Sequence, residues 1–126
     1  MKNNKLIYLA SPYSHPDAAV KAERAEKARR YTAEMIEAGH ILFSPIVYGL
    51  ALDSTVGTQW RDWIAFDARM ISACDELWVL MLPGWGESDG VAEEMEIAKD
   101  LGIPTRMING WDVGSKKKEE EENDDD

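Results

Sequence analysis

"DELWVLMLPGWGESDGVAEEMEIAKDLGIPTRMI", Asp75 to Ile108, holds in one run the unit that decides the fold. "DELWVLMLP" is a continuous apolar stretch ending at proline, the composition of a strand buried on both faces. "GWGESDG" is a glycine-rich loop. From Ser88 to Gly102 the period is helical: at about 100° per residue Val91, Met95, Ile97, Ala98 and Leu101 share an arc of about 160°. Gly102 stands where a C-capping glycine belongs, and "IPTRMI" begins another strand. Strand, helix and strand at this spacing predict a parallel pair, because parallel strands need a crossover connection.

The alternation continues toward the N-terminus. "KLIYLASP" reads as a strand ending at Ser-Pro, and "HILFSP" as another. A helix is predicted from about Asp17 to Ala38, closed by Gly39. Residues 46–58 predict one helical turn around "VYGLALD" and a loop through "STVGT", and Thr58 to Ala73 a further helix. The order β-α-β-α-β-α-β predicts a parallel sheet flanked by helices, with ligands at the strand carboxyl ends. That rule points to "SPYS", "SPIVYG" and "PGWGESDG".

The chain has 126 residues, 44% of them hydrophobic, which suits one domain over residues 1–113 with a single core. Residues 114–126 are charged at nearly every position and predict a disordered tail. The formal charge is −10, of which −6 falls on residues 1–115. No basic stripe is visible, which argues against a nucleic acid polymer as partner and for a small substrate. Cys74 is the one cysteine, so no disulfide forms within the chain, and the sequence predicts a buried small hydrophobe on a helix face. No stretch approaches the roughly 18 apolar residues of a membrane span, and a cytoplasmic protein is expected.

Two carboxylates break the pattern. Glu94 falls inside the apolar arc of its helix, whereas Glu93 and Glu96 fall outside. In the segment 60–74, Trp60, Trp63, Ile64, Met70, Ile71 and Cys74 share an arc of about 120°, and Asp67 lies near its centre. An unpaired buried charge is costly or shifts its pKa. One buried acid is more often a satisfied core partner than a catalyst. Two in one small domain, bordering the same sheet end, form the pattern of paired catalytic carboxylates.

Three motifs then carry a resemblance. They are Tyr8 in "LIYLASP"; Asp67 eight residues before Asp75 in "DARMISACDELWV"; and Ser88, Gly90, Glu94 and Ala98 in the last helix. The chain resembles the nucleoside 2-deoxyribosyltransferase superfamily, which includes the deoxynucleoside 5′-monophosphate N-glycosidases, from the first strand through "KDLGIP". The resemblance implies that Glu94 attacks the anomeric carbon, that Asp67 protonates or orients the departing base, and that Tyr8 positions the nucleophile. It assigns Ser88 and its loop, with Gly90, to the sugar or its 5′ substituent. It also implies a homodimer or larger homo-oligomer in which Asn109, after the last strand, completes a neighbour's site. Two departures stand out: Glu96 replaces a glycine usual in the family, and "SPYSHP" offers Ser11, Ser14 and His15 where nucleotide-preferring members carry an arginine.

Other signals carry less. "GWGESDG" has the wrong spacing for a dinucleotide fingerprint, and its acids would repel a pyrophosphate. Two histidines and one cysteine at these spacings make no metal site, and the sequence calls for no cofactor. Trp60 and Trp63 are expected in the core, Trp85 is the candidate to stack on a base, and His40 is expected to be structural. The reading that follows is a flavodoxin-like, Rossmann-like α/β enzyme that cleaves or transfers at the N-glycosidic bond of a nucleoside or nucleoside 5′-monophosphate. Its rival is a nucleotide sensor or interaction protein on the same fold without turnover.

Overall fold

The central strand β1 (Leu6–Ala10) alternates its side chains between two cores. Ile7 and Leu9 join one with Tyr31, Met35, Leu42, Trp78 and Leu80, while Tyr8 and Ala10 join the other with Ile71, Leu77, Val79, Val91 and Ala98. The computed structural model describes residues 4–56 and 60–109, and side chains outside 53–62. Within them β1 is flanked by β2 (Ile41–Phe43) and β3 (Glu76–Met81), and β4 (Thr105–Asn109) extends the sheet beyond β3. Every pairing is parallel, in the order β2-β1-β3-β4. The helices are α1 (Ala18–Glu37), α2 (Pro45–Val56), α3 (Trp60–Ser72) and α4 (Asp89–Asp100).

The two cores follow from strand order. The chain leaves β1 in one direction to β2 and later fills the other side with β3 and β4. Right-handed crossovers therefore put α1 on one face and α3 and α4 on the other. The buried stripe of α1 supplies Ala28, Tyr31 and Met35 to the first face; Ile71 of α3 and Val91 and Ala98 of α4 serve the second. The order reverses between β1 and β3, and at such a switch point the connecting loops part to leave a crevice at the carboxyl edge.

Local signals set the element ends. The Asp17 carboxylate accepts the Ala19 amide at 2.8 Å, and the Ser88 hydroxyl accepts the Val91 amide at 3.2 Å, so each N-caps its helix. Gly39 and Gly102, with φ of 103° and 73°, follow α1 and α4 in the left-handed conformation of a helix stop.

The structure departs from the sequence reading in one crossover. Where one turn and a loop were expected, α2 runs for twelve residues, so two helices connect β2 to β3. Ser44 caps it, its hydroxyl accepting the Val47 amide at 3.2 Å, and Pro45 takes the first helical position. "SP" here starts a helix rather than merely ending a strand. The segment is apolar all round, so no stripe betrayed the helix.

Leu101 is the C-cap of α4 and 51% exposed, outside the buried arc assigned to it. Cys74 is buried as expected, but beyond the end of α3 rather than on its face. Asn109 closes β4, paired with Met81, instead of following it. The Trp60 side chain and the tail from 114 lie outside the described residues. Among the described residues, no helix is long and apolar enough to cross a membrane.

Candidate active site

Tyr8 is fully buried in β1 and points to the face covered by α3 and α4. Its hydroxyl donates to Glu94 Oε2 at 2.6 Å, a short bond between the central strand and the middle of α4. Asp67 approaches the same phenol from α3, close enough for the hydroxyl to act on its carboxyl. Tyr8 has one hydroxyl hydrogen, and its hydrogen bond goes to Glu94. Among the described residues, Asp67 Oδ1 is buried without a hydrogen-bond partner. The two acids that break the apolar arcs of their helices thus meet at one tyrosine.

The phenol is held by rings. Tyr8 packs on Phe43 at 5.9 Å between centroids, Phe43 on Tyr48 and Phe66, and Tyr48 stacks on Phe66 at 5.6 Å. Trp63 meets Phe66 edge-on at 5.3 Å. These contacts join β1, β2, α2 and α3, so the hydroxyl is aimed by packing rather than by a flexible side chain.

Above the triad opens a cavity of about 550 Å³ at the carboxyl edge of the sheet. Ser11, Trp63, Asp67, Ser88, Gly90 and Glu94 are among its walls, bringing together residues distant in sequence. Its volume suits a nucleoside-sized molecule. Ser11 follows β1, is 5% exposed, and has a buried hydroxyl with no partner among the described residues. Buried polar atoms are ordinarily satisfied. Among the described residues, Ser11 Oγ and Asp67 Oδ1 are the unpaired buried side-chain atoms that belong to cavity-lining residues.

Electrostatics separate the two carboxyls. Burial is the main cause in both cases. It pushes Glu94 up to about 8, opposed by the Tyr8 hydrogen bond and reinforced by the Asp67 charge. It pushes Asp67 up to about 6, again opposed by Tyr8. Burial, then the charges of Glu94 and Asp67, drive the Tyr8 phenol far upward, so it stays a donor. Between these values the pair retains one proton, the condition under which one carboxyl acts as acid and the other as nucleophile.

Not every expectation converges here. Trp85 begins a 3₁₀ turn, Trp85–Glu87, and packs against the α3–α4 core; it is not a wall of the cavity, and Trp63 takes the place beside the carboxyls. Trp63 sat in the apolar arc and was read as core, a pattern that cannot tell a core wall from a cavity wall. His40 packs edge-on against Trp78. His15 Nδ1 accepts the Asp17 amide at 2.9 Å and is absent from the cavity wall. Glu96 is exposed and away from the cavity. Sequence reasoning missed Lys21, Glu87, Asp89 and Glu93, which also line the cavity; they lie on polar helix faces or in the loop, where charge ordinarily signals solvent.

Burial pushes the Cys74 thiol up to about 11, with Asp75 adding to the effect, which leaves it unreactive. Among the described residues, no group of three His, Cys, Asp or Glu side chains is placed to hold a metal ion. A family model described as a domain of unknown function (DUF1937) matches residues 5–110, and the chain belongs to that family. No curated protein matches it.

The two carboxyls make the stability of the fold depend on pH. Their pKa values are higher in the folded chain than in the unfolded one. The folded state therefore binds more protons over the intervening range and loses stability as pH rises through about 6 and about 8. Glu94→Gln keeps shape and removes the titration. Its melting temperature should exceed that of the wild type by several degrees at pH 9, where ~1 kcal/mol is worth roughly 4 °C, and the gap should close only below the ordinary Glu value of 4.5. A gap that does not change with pH would mean that Glu94 does not titrate in this interval.

Proposed function

We propose that this chain cleaves the N-glycosidic bond of a nucleoside by double displacement at Glu94. The observation that carries the reading is the meeting of Glu94 and Asp67 at the Tyr8 hydroxyl, beneath a nucleoside-sized cavity at the switch point. The resemblance of the Tyr8, Asp67 and Ser88–Glu94 motifs to the nucleoside 2-deoxyribosyltransferase superfamily, reached from sequence, supports the same roles.

The ionised Glu94 carboxylate attacks C1′, and the bond from C1′ to the base breaks with its electron pair leaving on the base nitrogen. Burial raises Glu94 further than Asp67, so the shared proton rests mainly on Glu94, and the reacting form is the minor one in which it has passed to Asp67, which delivers it to that nitrogen. A glycosyl ester on Glu94 and an Asp67 carboxylate result. Water then attacks C1′, giving its proton to Asp67 and freeing the sugar and Glu94; a second base in place of water gives transfer instead. Tyr8 donates to Glu94 throughout, favouring the charged carboxylate that burial disfavours. Ser11 and Ser88 offer hydroxyls to the sugar, and Trp63 an aromatic wall to the base.

The cavity's charges favour a substrate without a phosphate. Asp67, Glu87, Asp89, Glu93 and Glu94 line it against Lys21, whose ammonium lies 5.1 Å from the centre of the Tyr13 ring. The N-terminus of α4 is a natural anion site. Here Asp89 occupies its first turn, and Ser88 already accepts the Val91 amide.

Incubation with nucleosides and their 5′-monophosphates, followed by chromatography for free base, tests the reading. Base should be released, with kcat/KM at least tenfold higher for the nucleoside. Binding without release from any of them would favour the sensor. The kcat/KM profile should be bell-shaped, with limbs near pH 6 and 8 that belong to the pair rather than to either residue.

Asp67→Asn should fold and lower kcat by about 10²- to 10⁴-fold. Its residual activity should rise with pH and show no alkaline limb, because the shared proton is gone. An unchanged profile in this variant would remove Asp67 from the reaction.

A further inference from the structure

Arg24 stands one turn before Ala28 on the buried stripe of α1 that continues through Tyr31 and Met35, a position where an apolar side chain would be expected. Its guanidinium goes to backbone. Nη1 donates to the Ser14 carbonyl at 2.8 Å, and Nη2 donates to the Pro83 carbonyl at 3.1 Å. Those carbonyls belong to different loops, one following β1 and the other following β3. These are the two strands between which the order reverses, and the loops are the walls of the crevice. Ser11 and Ser14 stand on the first wall; Ser88, and through α4 Glu94, depend on the second.

The geometry points to Arg24 as a positioning residue that fixes the separation of the two loops, so that Ser11 on one and Ser88 and Glu94 on the other engage the same bound sugar. Its planar fork serves two acceptors at once, which a lysine ammonium at the end of a flexible stem does less well. The second loop is built to receive it. Gly84, directly after Pro83, has φ of 89°, and a Cβ there would lie 2.3 Å from Arg24 Nη2, so a side chain at this position would displace the guanidinium as well as strain the backbone. From Gly84 the chain turns at once through Trp85–Glu87 into Ser88, the cap of α4. A shift at Pro83 is therefore passed within five residues to the residue that starts the helix bearing Glu94. Misplacement of reacting groups by about 1 Å costs on the order of 10²-fold in rate.

The positioning role in catalysis rests on the proposed N-glycosidic reaction; the coupling of the loops does not, and the experiment has an arm for each. In Arg24→Met, amide hydrogen exchange should speed up in residues 11–16 and 83–88 together, while residues 28–36 of α1 keep their protection. Should Arg24→Met fail to fold, Arg24→Lys and Gly84→Ala, which leave the stem in place, should give the same paired loosening. In the kinetic arm, kcat for base release should fall about 10²-fold in Arg24→Met, with added guanidinium, but not ethylammonium, restoring part of it. Faster exchange in one loop alone, or in α1 alone, would overturn the coupling. Loosened loops with unchanged kcat would overturn the positioning role. Absence of base release by the wild type would overturn the proposed reaction, with the exchange arm still deciding the clamp.

Discussion

The hydrogen bond from Tyr8 to Glu94 is the constraint around which the site is arranged. It joins the middle of the central strand to the middle of α4 at 2.6 Å, inside the core that α3 and α4 bury against the sheet. A carboxyl placed there is disfavoured as an anion, and burial raises its pKa accordingly. The phenol moderates that cost while remaining protonated itself. Asp67, brought to the same hydroxyl by α3, makes the pair a holder of one proton near neutral pH. Burial, the shared proton and the cavity above are thus consequences of one arrangement, the alternation that turns Tyr8 toward α3 and α4.

The strand order explains why the cavity opens at this edge. Because β2 lies on one side of β1 and β3 on the other, the loops after β1 and β3 diverge, and the gap between them becomes the cavity. Divergent loops need tying, and Arg24 supplies a tie from the covering helix on the opposite face. Tyr8 from within the sheet and Arg24 from above its edge therefore fix the same crevice at two levels.

Much of this was legible in the sequence, for identifiable reasons. The apolar run of β3, the glycine stops after α1 and α4 and the crossover spacings fixed a parallel α/β sheet, since each signal is local and independent of the rest. Glu94 and Asp67 were visible as charges inside apolar arcs. What escaped was α2, apolar all round and so without a stripe, and the cavity wall formed by Lys21, Glu87, Asp89 and Glu93, which looks like ordinary solvated surface until the loops are folded over it. Trp85 misled because a tryptophan in a glycine-rich loop reads as exposed, whereas the 3₁₀ turn folds it onto the core. Arg24 carried a trace, a cation on an apolar stripe, whose meaning depends on two carbonyls that no local pattern relates.

In the reaction we propose, Glu94 is the carboxyl that forms the covalent bond to C1′. A nucleoside bearing a 2′-fluoro group should slow breakdown of the glycosyl ester, and intact-mass and peptide spectrometry should then find the sugar attached to Glu94. An adduct on Glu93 or Asp67, or base release with no adduct at all, would contradict the account.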